Sequence, residues 1–391
     1  MTNKLNPAIV GWAHTPFGKF PEKSIESLIV SVVDEVLEQS QIDPNDIDGI
    51  WLGNLNGGFV PDIFISSMPL QANSALRWKP SVRLENACAS GSAAIFGALD
   101  AIQAGRAKMA LVIGVEKMTE ISGMDTTRVL SGASYVKEEA ALGMTFPGIF
   151  AKIAQTYFDR YGNHSETLAK IAAKNHRNGV DNPWAQLRTD LGFDFCNEVS
   201  EKNPLIADPL RKTDCSLVSD GAAALLITSA DYSKAFKQKV FFKARRQVND
   251  FLPMSARDFT SFEGPKKAWQ AALSDANLNI HDLSFAEVHD CFTIAELIFY
   301  EAMGLAKSGE GYKLLENGLV YRDGKLPVNN SGGLKAKGHP VGATGVSMHV
   351  LSAMQLTGTA GALQLPNPSI AGICNMGGAA VANYVSILEA A

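Results

Sequence analysis

The sequence predicts an α/β protein built from two similar halves in one chain. Three observations carry this reading. A helix–turn–strand unit near the N-terminus returns in the second half, where IDPNDIDGIWLGN (42–54) and LNIHDLSFAEVHD (278–290) superpose without a gap. A second unit, a small-residue helix leading to an apolar strand, occurs at 90–114 and again at 344–374. Each half then closes on an apolar run, 222–227 and 379–388. Strand–helix–strand alternation implies a parallel sheet with helices on its faces. The halves are expected at 1–230 and 231–391.

Residues 24–37 carry apolar side chains at Ile25, Leu28, Ile29, Val32, Val33, Val36 and Leu37. That spacing predicts an amphipathic helix, with Ser24 as its N-cap. The turn Asp43-Pro44-Asn45-Asp46 follows, then a short strand at 49–53. Its counterpart is a helix over 264–276, with Pro265 in the first turn, and a strand at 285–288. Ser90-Gly91 and Thr344-Gly345 each open the helix of the second unit. The stretch 118–200 breaks the repeat. It is rich in Gly, Met and aromatic residues, with helical patches at 151–160 and 165–178, and reads as an inserted loop domain over the first half.

Composition narrows the function. Hydrophobic residues are 46% and charged residues 19% of 391, which excludes intrinsic disorder. A net charge of −5 excludes a strongly basic nucleic-acid binder. The five cysteines, 88, 196, 215, 291 and 374, form no C-x-x-C pair and no Cys/His cluster with zinc spacing, so neither a disulfide framework nor a metal site is expected. Reduced thiols, no apolar run of spanning length and no signal-peptide pattern together predict a cytoplasmic protein.

Four clusters can carry chemistry. Cys88 stands in Asn86-Ala87-Cys88-Ala89-Ser90-Gly91, just before a helix. The helix dipole and free N–H groups there are expected to favour the thiolate and to hold an oxyanion. Against this, a buried cysteine often only fills space. Glu287-Val288-His289-Asp290-Cys291-Phe292 lies at a strand's C-terminal end, the ligand-binding edge of open α/β sheets. His289 and Cys291 there offer a proton acceptor and a thiol, although a lone histidine is more often a satisfied core residue. His339 sits on a glycine-rich loop with Gly332, Gly333, Gly338, Gly342 and Gly345 and is the candidate general base. Gly333 to Gly338 has phosphate-loop spacing, but His339-Pro340 replaces the required Lys-Ser/Thr, which argues against a nucleotide triphosphatase. No G-x-G-x-x-G follows a strand, so a dinucleotide-binding domain is unsupported. Cys374 opens a tight turn, Cys374-Asn375-Met376-Gly377-Gly378. Cysteine and histidine gathered this way suit covalent acyl transfer through a thioester.

At these motifs the chain resembles a thiolase of the sterol carrier protein x type and its bacterial relatives. The resemblance runs through ENACASGSAA, IGVEKMTE, MTFPGIFAKIAQTYF, NPLIADPLRKTDCSLVSDGAAALLIT, EVHDCFTIAELIFYEAMG and NNSGGLKAKGHPVGATG. It implies two βαβαβαββ halves in a five-layer αβαβα sandwich with a loop domain inserted in the first. It implies acyl exchange between coenzyme A esters, with no resident cofactor. Cys88 would be the acylated nucleophile and His339 its activator. His289 would help bind the thioester oxygen and Cys291 would be the acid/base, with Cys374 as the alternative that common thiolases use. Met376 departs from the common Cys-x-Gly turn. Coenzyme A and acyl-CoA would be the partners, with Lys335 and Lys337 as candidates for the phosphates. A homodimer or homotetramer is expected, and a small partner subunit is open. Two rivals stay open: a decarboxylating ketoacyl-synthase-like enzyme, and a non-catalytic acyl-CoA binder.

Overall fold

The computed structural model describes residues 6–391. The first half contains β1 (Ala8–His14), α1 (Ile25–Ser40), β2 (Gly49–Gly53), β3 (Ser81–Leu84), α2 (Ser90–Gln103) and β4 (Met109–Lys117). An excursion follows: α3 (Gly123–Ser131), α4 (Phe146–Tyr161), α5 (Ser165–Gly179), α6 (Gly192–Asn197), β5 (Leu205–Ala207) and β6 (Leu210–Arg211). The half closes with β7 (Asp220–Thr228), so the excursion runs past 200, to the start of β7. The second half contains β8 (Val240–Asn249), α7 (Glu263–Ala276), β9 (Phe285–Val288), α8 (Thr293–Ala302), α9 (Lys313–Glu316), α10 (Gly333–Lys337), α11 (Thr344–Leu356), β10 (Ile370–Gly377) and β11 (Ala382–Ala390).

The large sheet runs β3-β2-β4-β7-β1-β8-β11-β10-β9. Read outward from the β1–β8 seam, the halves mirror each other. β1 matches β8, β7 matches β11, β4 matches β10 and β2 matches β9. In β3's place the second half has only Val328, in a parallel bridge to Ala286. The seam is thin, since β1 and β8 pair only through Ala8 and Ile9.

The expectation of a parallel sheet holds only at the edges. β2 is parallel to β3 and β4, and β9 to β10, but β7, β1, β8 and β11 pair antiparallel with their neighbours. β11 follows β10 through a tight turn and β7 follows β4 through the excursion, and each returns antiparallel to the strand before it.

Helices fill the layers as the apolar spacing requires. The predicted face of α1, from Ile25 to Leu37, is buried against β1, β4 and β7, and Ser24 caps the helix by accepting the Ser27 N–H. α7 covers β8 and β11 on the far side. Between the two halves of this sheet, on either side of the thin seam, run α2 and α11. Every residue of α11 is buried, as a helix enclosed on all sides must be. The resulting order is α1, first half-sheet, α2 with α11, second half-sheet, α7: five layers.

The two central helices meet without side chains. A Cβ on Gly91 would lie 2.8 Å from the Gly342 carbonyl, and one on Gly345 would lie 2.4 Å from the Ser92 nitrogen. Their first turns therefore touch backbone to backbone, which brings the residue two before α2, Cys88, next to the loop before α11, which holds His339.

Candidate active site

Cys88 follows β3 on a turn in which Ala87 takes φ +50°, a left-handed conformation that costs a non-glycine residue about 1–3 kcal/mol. The turn is over-determined. Ser90 Oγ accepts the Asn86 N–H and donates to the Ala87 carbonyl, at 2.9 and 2.6 Å. The N–H groups of Ala89 and Ser90 donate to the carbonyls of Asn86 and Ala87.

This overturns one expectation. The N–H groups of Ala89 and Ser90 are spent closing the turn and do not serve the thiol. Burial pushes the Cys88 thiol up to about 12. The N–H groups that act on the sulfur are those of Gly378 and of Cys88 itself. From the C-terminal turn it is thus the Gly378 N–H that meets the Cys88 sulfur, while the Met376 side chain packs into the core.

Cys88 Sγ and one ring nitrogen each from His289 and His339 lie within 4.8 Å of one another. The two imidazoles meet edge to face, with centroids 4.9 Å apart. Their protonation is set by fixed partners. Thr344 Oγ1 donates to the Pro340 carbonyl, so it can only accept from His339 Nδ1, 2.7 Å away. His339 thus carries its proton on Nδ1 and presents a bare Nε2.

Asn375 decides the other ring. Its Oδ1 accepts from Ser92 Oγ at 2.8 Å, and its Nδ2 donates to the Cys88 carbonyl at 3.3 Å and to His289 Nδ1 at 2.9 Å. Flipping the amide would set its oxygen against the Cys88 carbonyl. His289 therefore accepts at Nδ1 and carries its proton on Nε2. Both Nε2 atoms are buried without a hydrogen-bond partner among the described residues. The site thus holds one unpaired acceptor and one unpaired donor side by side.

Cysteine with two histidines is also a donor set for zinc. A ligating nitrogen must be bare, however, and the Asn375 amide makes His289 Nε2 a protonated donor. The trio does not suit a metal in this arrangement. Burial lowers His339 to about 3 and carries His289 well below the ordinary imidazole value. The resting groups are a neutral thiol and two neutral rings.

Cys291 lines the same pocket as Cys88 and His339. Burial, then the nearby Cys88, push its thiol well above the usual range. Its carbonyl accepts the Ser216 N–H at 2.8 Å, which ties the His-Asp-Cys-Phe turn to the excursion. Between His289 and Cys291, Asp290 points the other way. It accepts the Leu334 N–H at 2.6 Å and Asn175 Nδ2 at 2.8 Å, and so anchors α10, the short helix that delivers His339. Gly333 is required there, since a Cβ would lie 2.2 Å from the Asp290 carboxylate.

Cys374 is not in the site. Along β10 side chains alternate: Ala371, Ile373 and Asn375 face the central helices, whereas Cys374 and Met376 face the outer core under α7. The polar neighbour of the Cys374 thiol is the Trp269 indole. Lys335 and Lys337 are corrected too. They are 2% and 0% exposed and point inward, so neither meets the phosphates of a ligand entering from solvent.

Three contributors escaped the sequence reading. Asn375 fixes the His289 tautomer. Cys215 is a third thiol in the pocket. Glu116 accepts N–H bonds from Leu55, Asn56 and Gly342, holding the His339 loop to the first half. Glu116 had a visible signal, as a carboxylate at the end of the apolar run ALVIGV.

Fold and site together define a two-half α/β protein with a cysteine–histidine centre suited to acyl transfer. Family models described as the thiolase N-terminal domain and the thiolase C-terminal domain-like unit match residues 7–231 and 248–390. The chain belongs to the thiolase family. It is 35% identical to the acetyl-CoA acetyltransferase of Methanothermobacter thermautotrophicus, over 95% of this chain and 96% of that one. It is 31% identical to sterol carrier protein 2 of Bos taurus, over 94% of this chain and 69% of that protein. The fold is also that of human mitochondrial 3-ketoacyl-CoA thiolase solved with CoA, at TM-score 0.74 and 17% identity, covering 99% of each chain. An Ltp2–ChsH2(DUF35) aldolase matches at TM-score 0.85 and 20% identity, over 99% of this chain and 98% of that one.

Proposed function

We propose that this thiolase exchanges short acyl groups between coenzyme A thioesters through an S-acyl-Cys88 intermediate. The observation that carries the reading is that Cys88, His339 and Cys291 line one pocket, with His289 beside Cys88 and His339. Cys88 Sγ attacks the thioester carbonyl while His339 Nε2 takes its proton. Charge on the carbonyl oxygen develops near the Cys88 and Gly378 N–H groups. Collapse expels the coenzyme A thiolate, which recovers the proton from His339. In the second half-reaction the Cys291 thiol gives its proton to His339 Nε2, freed when coenzyme A leaves, and the resulting thiolate removes a proton from the methyl carbon of acetyl-CoA. His289 Nε2–H donates to the enolate oxygen, the carbon attacks the acyl-Cys88 carbonyl, and the carbon–sulfur bond breaks to release the Cys88 thiolate, which recovers the proton held on His339. Thiolysis runs these steps backwards. No resident cofactor is needed.

Short substrates follow from size. The pocket holds about 150 Å³ and has apolar walls that include Leu130, Phe146, Phe292 and Val341. A dry cavity of that volume accommodates benzene, roughly the bulk of an acetoacetyl group. The expected result is coenzyme A release from acetyl- and acetoacetyl-CoA, with kcat/KM falling about tenfold or more for each longer 3-ketoacyl homologue. Equal rates at all lengths contradict the size argument. Release from malonyl-CoA only supports the decarboxylating rival, and no release at all supports a binder.

A homodimer is part of the proposal. β3 is a sheet edge paired only to β2, with Val82 half exposed. Close to it stand exposed Ile63 and Phe64, whose segment takes a hydrogen bond from Arg83. An open apolar edge is a pairing surface. Light scattering at micromolar concentration is expected to give a dimer, and a clean monomer contradicts it. A small partner subunit suits a second apolar patch, where Val136 and Leu142 adjoin Phe251 and Leu252 across the Ser255–Glu138 hydrogen bond. No helix among the described residues is long and apolar enough to cross a membrane, and a cytoplasmic setting fits the proposed chemistry.

A further inference from the structure

The pocket beside Cys88 has an open end and a closed one. At the open end it is lined by Gly123, exposed at the start of α3, next to an equally exposed Met124. At the closed end Cys88, Cys291, Phe146 and Phe292 are all buried. A coenzyme A moiety, bulky and charged, stays at the open end, so the acyl tail is directed inward. The closed end lies between two hydrophobic clusters. Cys88 belongs to a small one with Phe59, Met118 and Val341. Phe146, Cys291 and Phe292 belong to the large core beneath α7 and α8. An acyl group on Cys88 therefore projects from the first cluster towards the second.

The second cluster offers two aromatic walls, and they differ in what holds them. Phe292 follows Cys291 directly, pairs with Cys215 in an antiparallel bridge, and stacks on Phe150 with centroids 4.4 Å apart. It is part of the turn that places the Cys291 thiol. Phe146 comes from the excursion, as the first residue of α4. Its backbone is fixed, since Thr145 Oγ1 caps the helix by accepting the Gly148 N–H at 3.2 Å and Pro147 follows. Its ring is tilted against its neighbours, 5.6 Å from Phe150 and 6.5 Å from Phe292. The ring fills space at the end of the pocket without positioning a reactive group. One turn on, Ile149 and Phe150 are 0% exposed, so the wall behind it is solid core.

We propose that Phe146 is the specificity-determining residue that sets the longest acyl group the site accepts. The inference rests on the acyl-transfer reading above and names the residue behind its preference for short chains. The six ring carbons occupy the place that a longer chain needs, and close-packed neighbours leave the ring no room to retreat. Alanine at this position leaves a space of about one benzene molecule at the closed end. Its walls are apolar, so it receives apolar carbon rather than water. Cys88, Cys291 and His339 stand on the two halves of the fold, whereas Phe146 stands on the excursion. Chain length is thus set by an element separate from those that carry the chemistry.

The test compares kcat/KM for 3-ketooctanoyl-CoA and acetoacetyl-CoA in the wild type, Phe146→Ala and Ile149→Ala. Phe146→Ala should raise the ratio of long to short substrate by about 10- to 100-fold. Ile149 is buried in the same helix but is not a wall of the pocket, so Ile149→Ala loosens α4 and should keep the wild-type ratio. An unchanged ratio in Phe146→Ala, or the same rise in Ile149→Ala, overturns the proposal. Should Phe146→Ala not fold, Phe146→Leu takes its place, with a smaller rise expected and an unchanged ratio overturning the proposal. A second readout does not depend on acyl transfer: the rates at which methyl and hexyl methanethiosulfonate modify Cys88, followed by mass spectrometry of its peptide. The hexyl reagent should lag by about tenfold or more in the wild type, and the gap should narrow in Phe146→Ala. Equal gaps in the two proteins overturn the proposal. A wild type that releases no coenzyme A from either substrate counts against the acyl-transfer reading alone, and the two reagents then still decide the inference about Phe146.

Discussion

Replacing Cys88 with alanine is expected to abolish acyl transfer, lowering kcat on the order of 10⁴-fold or more, as loss of a covalent nucleophile does. The fold should survive. The side chain is 2% exposed, and the turn beneath it is held by Ser90 and by backbone hydrogen bonds that do not involve sulfur. Circular dichroism and the melting temperature should change little. The variant should still bind acyl-CoA, because the pocket walls and the unpaired His289 donor remain. Retention of more than about a tenth of wild-type turnover in Cys88→Ala would place the nucleophile elsewhere, and Cys215, the other thiol of the pocket not given a role here, would be the first alternative.

The second large effect separates Cys291 from Cys374. Cys291→Ala should leave the first half-reaction intact, because the nucleophile, its base and the oxyanion donors are untouched. It should stall carbon–carbon bond formation and the exchange of acetyl methyl protons with solvent deuterium, by about 10²–10⁴-fold. Cys374→Ala should leave both half-reactions close to wild type and show its cost in stability, since the thiol packs beside Trp269 under α7. Deleting one buried sulfur should lower stability by about 1–2 kcal/mol. If Cys374→Ala stops exchange and Cys291→Ala does not, β10 must present its opposite face to the substrate, and the alternation described above is wrong.

The contrast between those two cysteines shows what a sequence can convey. The duplicated architecture was legible because it rests on local pattern. The apolar stripe of α1 and its echo in α7 each bury one face, and each declares it in spacing alone. Cys88, His289, Cys291 and His339 were legible because each lies at an element boundary within a short motif. Cys374 also lies in a motif, but which face of β10 meets the site depends on how β9, β11 and α7 pack around it. That is long-range information, and a shift of one residue reverses it.

The same limit explains the remaining surprises. Asn375 matters because Ser92, the Cys88 carbonyl and His289 converge on it from α2, the turn before α2 and the end of β9. Lys335 and Lys337 read as solvated loop charges in GLKAKGH until α10 and its neighbours are seen to enclose them. The thiolate expected at a helix start failed chiefly because burial disfavours the charge, and because the N–H groups of Ala89 and Ser90 are committed to the turn.

The central claim is that acyl transfer passes through Cys88 with Cys291 as the carbon acid/base. The most direct measurement incubates Cys291→Ala with acetyl-CoA, digests it, and maps the adduct by mass spectrometry. The account predicts one acetyl group on the peptide containing Cys88, accumulating because the second half-reaction is blocked. An adduct on the Cys215 peptide alone, or none while the wild type turns over, would contradict it.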